Sequence, residues 1–204
     1  MPTKTLPGFD ALWAAYPHGT AAEVKALIDG NVNAEWITNT CAIRVSRSFN
    51  YAGHPIPMDH DGLNTVRGGD DLRYAFRVLE FGKFLNRKYG MPDLVHEYED
   101  NGGPIPESFR GRSGVIAFDV RGWNDATGHF DLWNGEDCAH KGYFNRTWRV
   151  SLWDAPKHTI GQLGGSVGRG GANAPEDVQR VQSLLVKAGF EPGPMDGVVG
   201  TRTI

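Results

Sequence analysis

One stretch restricts the possible folds more than any other: Asn39-Thr40-Cys41-Ala42-Ile43-Arg44-Val45-Ser46, a polar pair and a cysteine followed by apolar residues at helical spacing. Asn39 or Thr40 is a natural N-cap. A helix that starts there leaves the Cys41 thiol in the first turn, beside unpaired N–H groups and the positive end of the helix dipole. A thiol in such a setting ionises readily and becomes a nucleophile. Ala42, Val45 and Phe49 recur on one face, so the helix, which runs to about Ala52-Gly53, packs inside and its N-terminus can be aimed at a cleft. A fold built on this helix needs a second element that carries a base to the sulfur.

That element is Thr127-Gly128-His129-Phe130-Asp131-Leu132-Trp133-Asn134-Gly135-Glu136-Asp137-Cys138-Ala139-His140. His129 to Trp133 reads as a strand, and Asn134-Gly135 is the strongest short hairpin signal in the chain. A two-residue turn there pairs Trp133 with Glu136, Asp131 with Cys138 and His129 with His140. Directly opposed residues share a face, so the two imidazoles stand side by side. An imidazole takes the thiol proton and returns it to the leaving amine, and a polar partner on its other nitrogen fixes its tautomer and tilt. His140 is the first choice for that partner and Asp131, on the same face two residues along, the second. A bulge at the turn would invert the choice.

The remaining chain frames these two stretches. Phe9 to Tyr16 reads as a short helix stopped by Pro17, and Ala21 to Ile28 as a second, closed by Asp29-Gly30. Gly53 to Asp70, rich in Pro and Gly, reads as an irregular loop able to line a substrate groove. Asp71 to Tyr89 carries the longest helical pattern, with its basic residues on a solvated face and Gly90 and Pro92 at its end. Gly111 to Val120 is a turn followed by a strand. The fold class is therefore α+β, an N-terminal helical part packed on a small antiparallel sheet. Gly161 to Ala172 is a glycine-rich linker, after which Pro175 to Phe190 has Pro in its first turn and Gly near its end, the marks of one more helix.

Composition narrows the function classes. Hydrophobic residues make up 40%, with 6 Trp, 10 Phe and 6 Tyr, enough for a core, and the net charge of −3 gives no reason to expect nucleic acid or an anionic membrane surface as partner. No apolar run reaches membrane-spanning length. Met1 to Pro7 lacks the apolar core of a Sec signal. Two cysteines, Cys41 and Cys138, do not make a disulfide framework.

Taken together, Cys41-Ala42-Ile43-Arg44-Val45-Ser46 with Phe49-Asn50, then Gly122-Trp123-Asn124, Gly128 to Gly135, and Ser151-Leu152-Trp153, resemble the fourth family of type VI secretion amidase effectors. Those are papain-like, NlpC-related cysteine peptidases. The resemblance implies a catalytic domain over residues 1–156 with Cys41 as nucleophile and His129 as general base, and no cofactor or metal. In the family the third member is an Asp eleven positions after the histidine, and that position here is His140. Members also carry a short disulfide starting at the position of Cys138; its second half falls near Gly142, so the bridge cannot form here. The implied activity is hydrolysis of the amide between D-glutamate and diaminopimelate in peptidoglycan stem peptides. The implied setting is synthesis in the cytoplasm without a Sec signal, delivery by type VI secretion components to the periplasm of a target cell, and protection of the producer by a cognate periplasmic immunity protein.

Residues 173–204, after the linker at 157–172, resemble part of the small three-helix peptidoglycan-binding module through Val181-Gln182-Ser183-Leu184-Leu185 and Asp196-Gly197-Val198-Val199-Gly200. The closing helix of that module falls where the sequence stops, so this truncated tail is expected to be weakly ordered unless it packs on the catalytic part. Two rival readings follow from the same residues. His129, Asp131, His140 and Cys138 could ligate Zn²⁺ in a zinc-dependent wall hydrolase, or the chain could bind peptidoglycan without cleaving it. The Cys41 backbone N–H, at a helix start, is the natural candidate for an oxyanion donor.

Overall fold

A computed structural model describes residues 5–58, 60–121, 128–156, 163, 165–201 and 203. Met1 to Lys4, the Gly122-Trp123-Asn124 block with Thr127, and much of the linker lie outside the described residues. Among the described residues, five α-helices and six strands follow in order: α1 Phe9–Ala14, α2 Ala21–Ile28, α3 Cys41–Tyr51, β1 Thr65–Arg67, β2 Arg73–Ala75, α4 Val78–Tyr89, β3 Leu94–Glu97, β4 Gly114–Asp119, β5 Gly128–Trp133, β6 Arg149–Asp154 and α5 Pro175–Lys187. Strands β3, β6, β4 and β5 form an antiparallel sheet in that order, and β1 with β2 forms a separate hairpin. This is the α+β arrangement read from the sequence.

The sheet is two-faced because its strands alternate. Val115 and Ala117 of β4, with Phe130 and Leu132 of β5, point to the helical side, where they meet Ala42, Val45 and Phe49 of α3 and Phe81, Phe84 and Leu85 of α4. Ile116, Phe118, Trp133, Val150 and Leu152 fill a second core on the opposite face, covered by Tyr98, Ile105, Tyr143 and Phe144. Trp133 Nε1 donates to the Phe109 carbonyl at 2.8 Å, so the largest buried side chain also satisfies its polar atom. β5 is an outer strand of the sheet, and α3 packs on it. That contact decides which residue of the sheet the N-terminus of α3 approaches.

The expected helix over Asp71–Tyr89 begins only at Val78. Its first part is strand β2, paired Thr65 to Ala75 and Val66 to Tyr74 with part of the segment read as an irregular loop. The reason is tertiary. Tyr74 and Ala75 are fully buried, Ala75 N–H donates to Ser46 Oγ, and the Arg73 carbonyl accepts from Asn50 Nδ2, so α3 supplies the partners that hold this segment extended.

The C-terminal segment packs on the rest of the molecule rather than standing apart. Helix α5 lies against α1, Gln179 Nε2 donates to the Ala52 carbonyl at 3.2 Å, and Met195 is buried in the main core. Gln182 clamps the turn beyond it, donating to Asp196 Oδ1 and the Val198 carbonyl and accepting from Gly197 N–H.

Candidate active site

Cys41 opens α3, with Thr40 at the N-cap. The two polar residues before it divide the work differently from a simple cap. Asn39 Oδ1 accepts the Cys41 backbone N–H at 3.0 Å, while Thr40 Oγ1 accepts from Arg44 Nε at 3.3 Å. The N–H expected to face a developing oxyanion is therefore engaged by Asn39. Arg44 is buried, and its guanidinium also donates to the Pro17 and Gly19 carbonyls at 2.7 and 2.8 Å. This strap ties the segment after α1 to the first turn of α3 and fixes the surroundings of the thiol. A charged side chain one turn from the cysteine was the available sequence signal for it.

His129 lies on β5, opposite Phe118 of β4, and packs edge-on against Tyr143. Its ring is in contact with the Cys41 thiol, and its Nε2 stands 3.5 Å from Asp131 Oδ2. Cys41, His129 and Asp131 are all buried. Burial works to lower the His129 pKa, but the Asp131 carboxylate and the Cys41 sulfur outweigh it and push the imidazole up to about 9. Asp131 is itself anchored: Oδ1 accepts Leu132 N–H, and Oδ2 accepts His140 N–H at 3.1 Å and Lys141 N–H at 2.7 Å. Three backbone donors compensate the desolvation of the carboxylate and hold it in one orientation. The Tyr16 hydroxyl of the segment after α1 is buried near the same carboxylate, and its pKa is raised by burial first and by Asp131 next.

The hairpin register differs from the two-residue turn read from Asn134-Gly135. Asn134 N–H donates to the Asp137 carbonyl, and Asn134 Oδ1 accepts from both Glu136 and Asp137 N–H, so four residues make the turn and Trp133 faces Cys138. The asparagine side chain closes the longer loop and wins over the tight turn. The shift is by two residues, so faces are kept while partners change: His140 comes opposite Asp131 rather than His129. His140 is exposed, its backbone N–H holds Asp131, and burial with the nearby Arg44 charge lowers its imidazole pKa. Asp131 Oδ2 is thus the group 3.5 Å from His129 Nε2, and His140 contributes its backbone N–H to that carboxylate.

Cys138 and Cys41 are both free thiols. Cys138 is half-buried, and burial together with Asp131 and Asp137 pushes its pKa up, which makes it a poor nucleophile. A Cβ built on Gly142 would stand 3.4 Å from its sulfur. The loop around Pro55, Pro57 and His60 does line a cavity of about 330 Å³ with Phe84, Arg87 and Lys88, but neither Cys41 nor His129 is in its walls. A second cavity, of about 390 Å³, lies against the hairpin turn at Trp133, Asp137, Cys138 and Gly142.

Residues 37–153 match the family model described as type VI secretion system (T6SS), amidase effector protein 4. Among solved structures, the chain is similar to the effector Tae4 from Salmonella typhimurium in complex with the immunity protein Tai4 from Enterobacter cloacae, with 30% identity and a TM-score of 0.66 over 74% of this chain and 99% of that one. Similarity to the Enterobacter cloacae effector bound to Tai4 is 33% in identity with a TM-score of 0.64, covering 73% of this chain and 98% of the other. The same effector alone gives 33% and 0.65 over 75% and 99%. No curated protein sequence matches.

Proposed function

Since the chain belongs to the type VI secretion amidase effector 4 family, and is thus an amidase of that class, we propose that it cleaves the amide between D-glutamate and diaminopimelate in peptidoglycan stem peptides through Cys41 and His129. The observation that carries this reading is the buried Cys41 thiol at the start of α3 in contact with an imidazole whose other edge faces a fixed carboxylate. With its proton already held on His129 as an imidazolium, Cys41 Sγ attacks the amide carbonyl carbon. The imidazolium then protonates the departing amine, and the acyl group stays on sulfur as a thioester. Water attacks that carbonyl, gives its proton to the now neutral His129, and releases the free acid with the sulfur and imidazolium restored as a pair. Asp131 orients the ring and stabilises its charge during both half-reactions; the geometry favours it over His140 for this role.

The effector structures bound to Tai4 support an immunity protein as the partner that restrains the enzyme. Delivery into the periplasm of a target cell is the setting that fits the family and the substrate, and no helix among the described residues is long and apolar enough to cross a membrane. We read residues 1–156 as the catalytic part, 157–172 as a linker and 173–204 as a docked segment that adds wall affinity.

Digestion of purified sacculi with mass assignment of the released fragments tests the reading. Wild type should release fragments ending in free D-glutamate and beginning in diaminopimelate, and Cys41→Ala should release none. Fragments from Cys41→Ala would refute the thiol mechanism, and cleavage elsewhere in the stem would refute the bond assignment.

A further inference from the structure

His129, Asp131 and His140 form a triangle that holds more ligand atoms than a proton relay requires. One ligand atom from each residue lies within 4.8 Å of the other two, and the edge from His129 Nε2 to Asp131 Oδ2 is 3.5 Å. His129 is 6% exposed, and its Nε2 has no hydrogen-bond partner among the described residues. A buried imidazole nitrogen whose nearest polar neighbour is a carboxylate oxygen 3.5 Å away, beyond a good hydrogen bond, with a second imidazole close by, is a donor set suited to borderline divalent transition metals.

We propose that this triangle binds such a cation, with Zn²⁺ as its natural occupant, and that the bound metal holds the hydrolase off by occupying the nitrogen through which His129 is oriented. The inhibitory half rests on the assignment of Cys41 and His129 as the catalytic pair; the metal site itself does not. In a tetrahedral site with ligands at roughly 2.0–2.2 Å, donor atoms stand about 3.4 Å apart. The His129–Asp131 edge already has that length. His140 needs to close by up to about 1.4 Å, and it is an exposed residue on the return arm of the hairpin, whereas the other two are buried. Two imidazoles and one carboxylate leave one position open, the coordination of an exchangeable site rather than a structural one. The positive charges of Arg44 and Lys141 act on His140 and oppose the metal, which keeps the site from matching the affinity of a closed one. Cys138, named with these residues as a fourth ligand from the sequence, is absent from the cluster.

The experiment uses the full chain, freed of metal by chelation and titrated with Zn²⁺ by calorimetry, and with Co²⁺ by visible absorption. One equivalent of Zn²⁺ should bind, Co²⁺ should give the bands of a four-coordinate site, and His140→Asn should weaken both by at least about tenfold while its circular dichroism stays that of wild type. Muropeptide cleavage by wild type should fall as zinc is added and return on chelation. Absence of saturable binding, equal affinity in His140→Asn, or cleavage that requires zinc would overturn the proposal. If chelated wild type cleaves and binds no zinc, only the metal site fails. If it binds zinc and cleaves in neither state, the catalytic reading fails and the metal site stands.

Discussion

Asp131 is the side chain on which the site turns. It is fully buried, carries three backbone hydrogen bonds and faces His129 Nε2, so its negative charge is both fixed and directed. Replacing it by Asn keeps the shape but offers the ring the wrong partner, and kcat of Asp131→Asn should fall by about 10²–10⁴ with KM little changed. His140→Ala leaves the backbone N–H on Asp131 and should cost less than about tenfold. The opposite ranking in steady-state cleavage of a muropeptide would return the orienting role to His140. The raised His129 pKa also has a sign. A histidine whose folded pKa lies above its unfolded value stabilises the fold fully below about pH 6.5, and that stability is lost as pH rises through about 9. Thermal unfolding of wild type should therefore show Tm declining across that window, with a flatter profile in His129→Gln, and kcat/KM should have an alkaline limb centred near pH 9. A flat Tm profile, or a limb near 6.5, would mean that the two neighbours do not hold the proton on the ring.

At the scale of elements, the hairpin after β5 decides what faces His129. Its turn is closed by the Asn134 side chain, and its return arm runs past Cys138 to Gly142. A Cβ at Gly142 would meet the Cys138 sulfur at 3.4 Å, and the glycine's φ is not in the left-handed region, so a side chain is tolerated there. Gly142→Cys should therefore form a disulfide with Cys138 under air oxidation. A loop this short limits the gain to about 2 kcal/mol in the chain-entropy model. Denaturant unfolding of the oxidised and reduced variant measures it, and two titratable thiols remaining at 138 and 142 after oxidation would show that the arm is held differently. Helix α3 shows the same dependence on neighbours, since its Arg44 binds the Pro17 and Gly19 carbonyls and its Ser46 and Asn50 hold β2 extended.

At the scale of the whole molecule, the C-terminal segment is part of the packing. Met195 sits in the same core as Phe49 and Phe81, and Gln179 reaches the end of α3. Met195→Ala should destabilise the chain by about 2–4 kcal/mol through the cavity it leaves, and calorimetry should record one unfolding transition moved down in temperature. Two transitions, with only the smaller one moved, would show that α5 and its turn unfold apart from the sheet.

The sequence by itself determined the local chemistry: a helix opening on Cys41, a strand carrying His129 and Asp131 on one face, and the α+β class with an N-terminal helical part. These are readable because caps, periodicity and turn residues act over a few neighbouring positions. Only the tertiary structure decided that Arg73 to Ala75 is a strand, that the turn holds four residues and brings His140 to Asp131, and that Asn39 accepts the Cys41 N–H. Each of these outcomes is set by hydrogen-bond partners or packing supplied by another part of the fold, or by a competition between local hydrogen bonds of similar strength, and no local pattern ranks those alternatives.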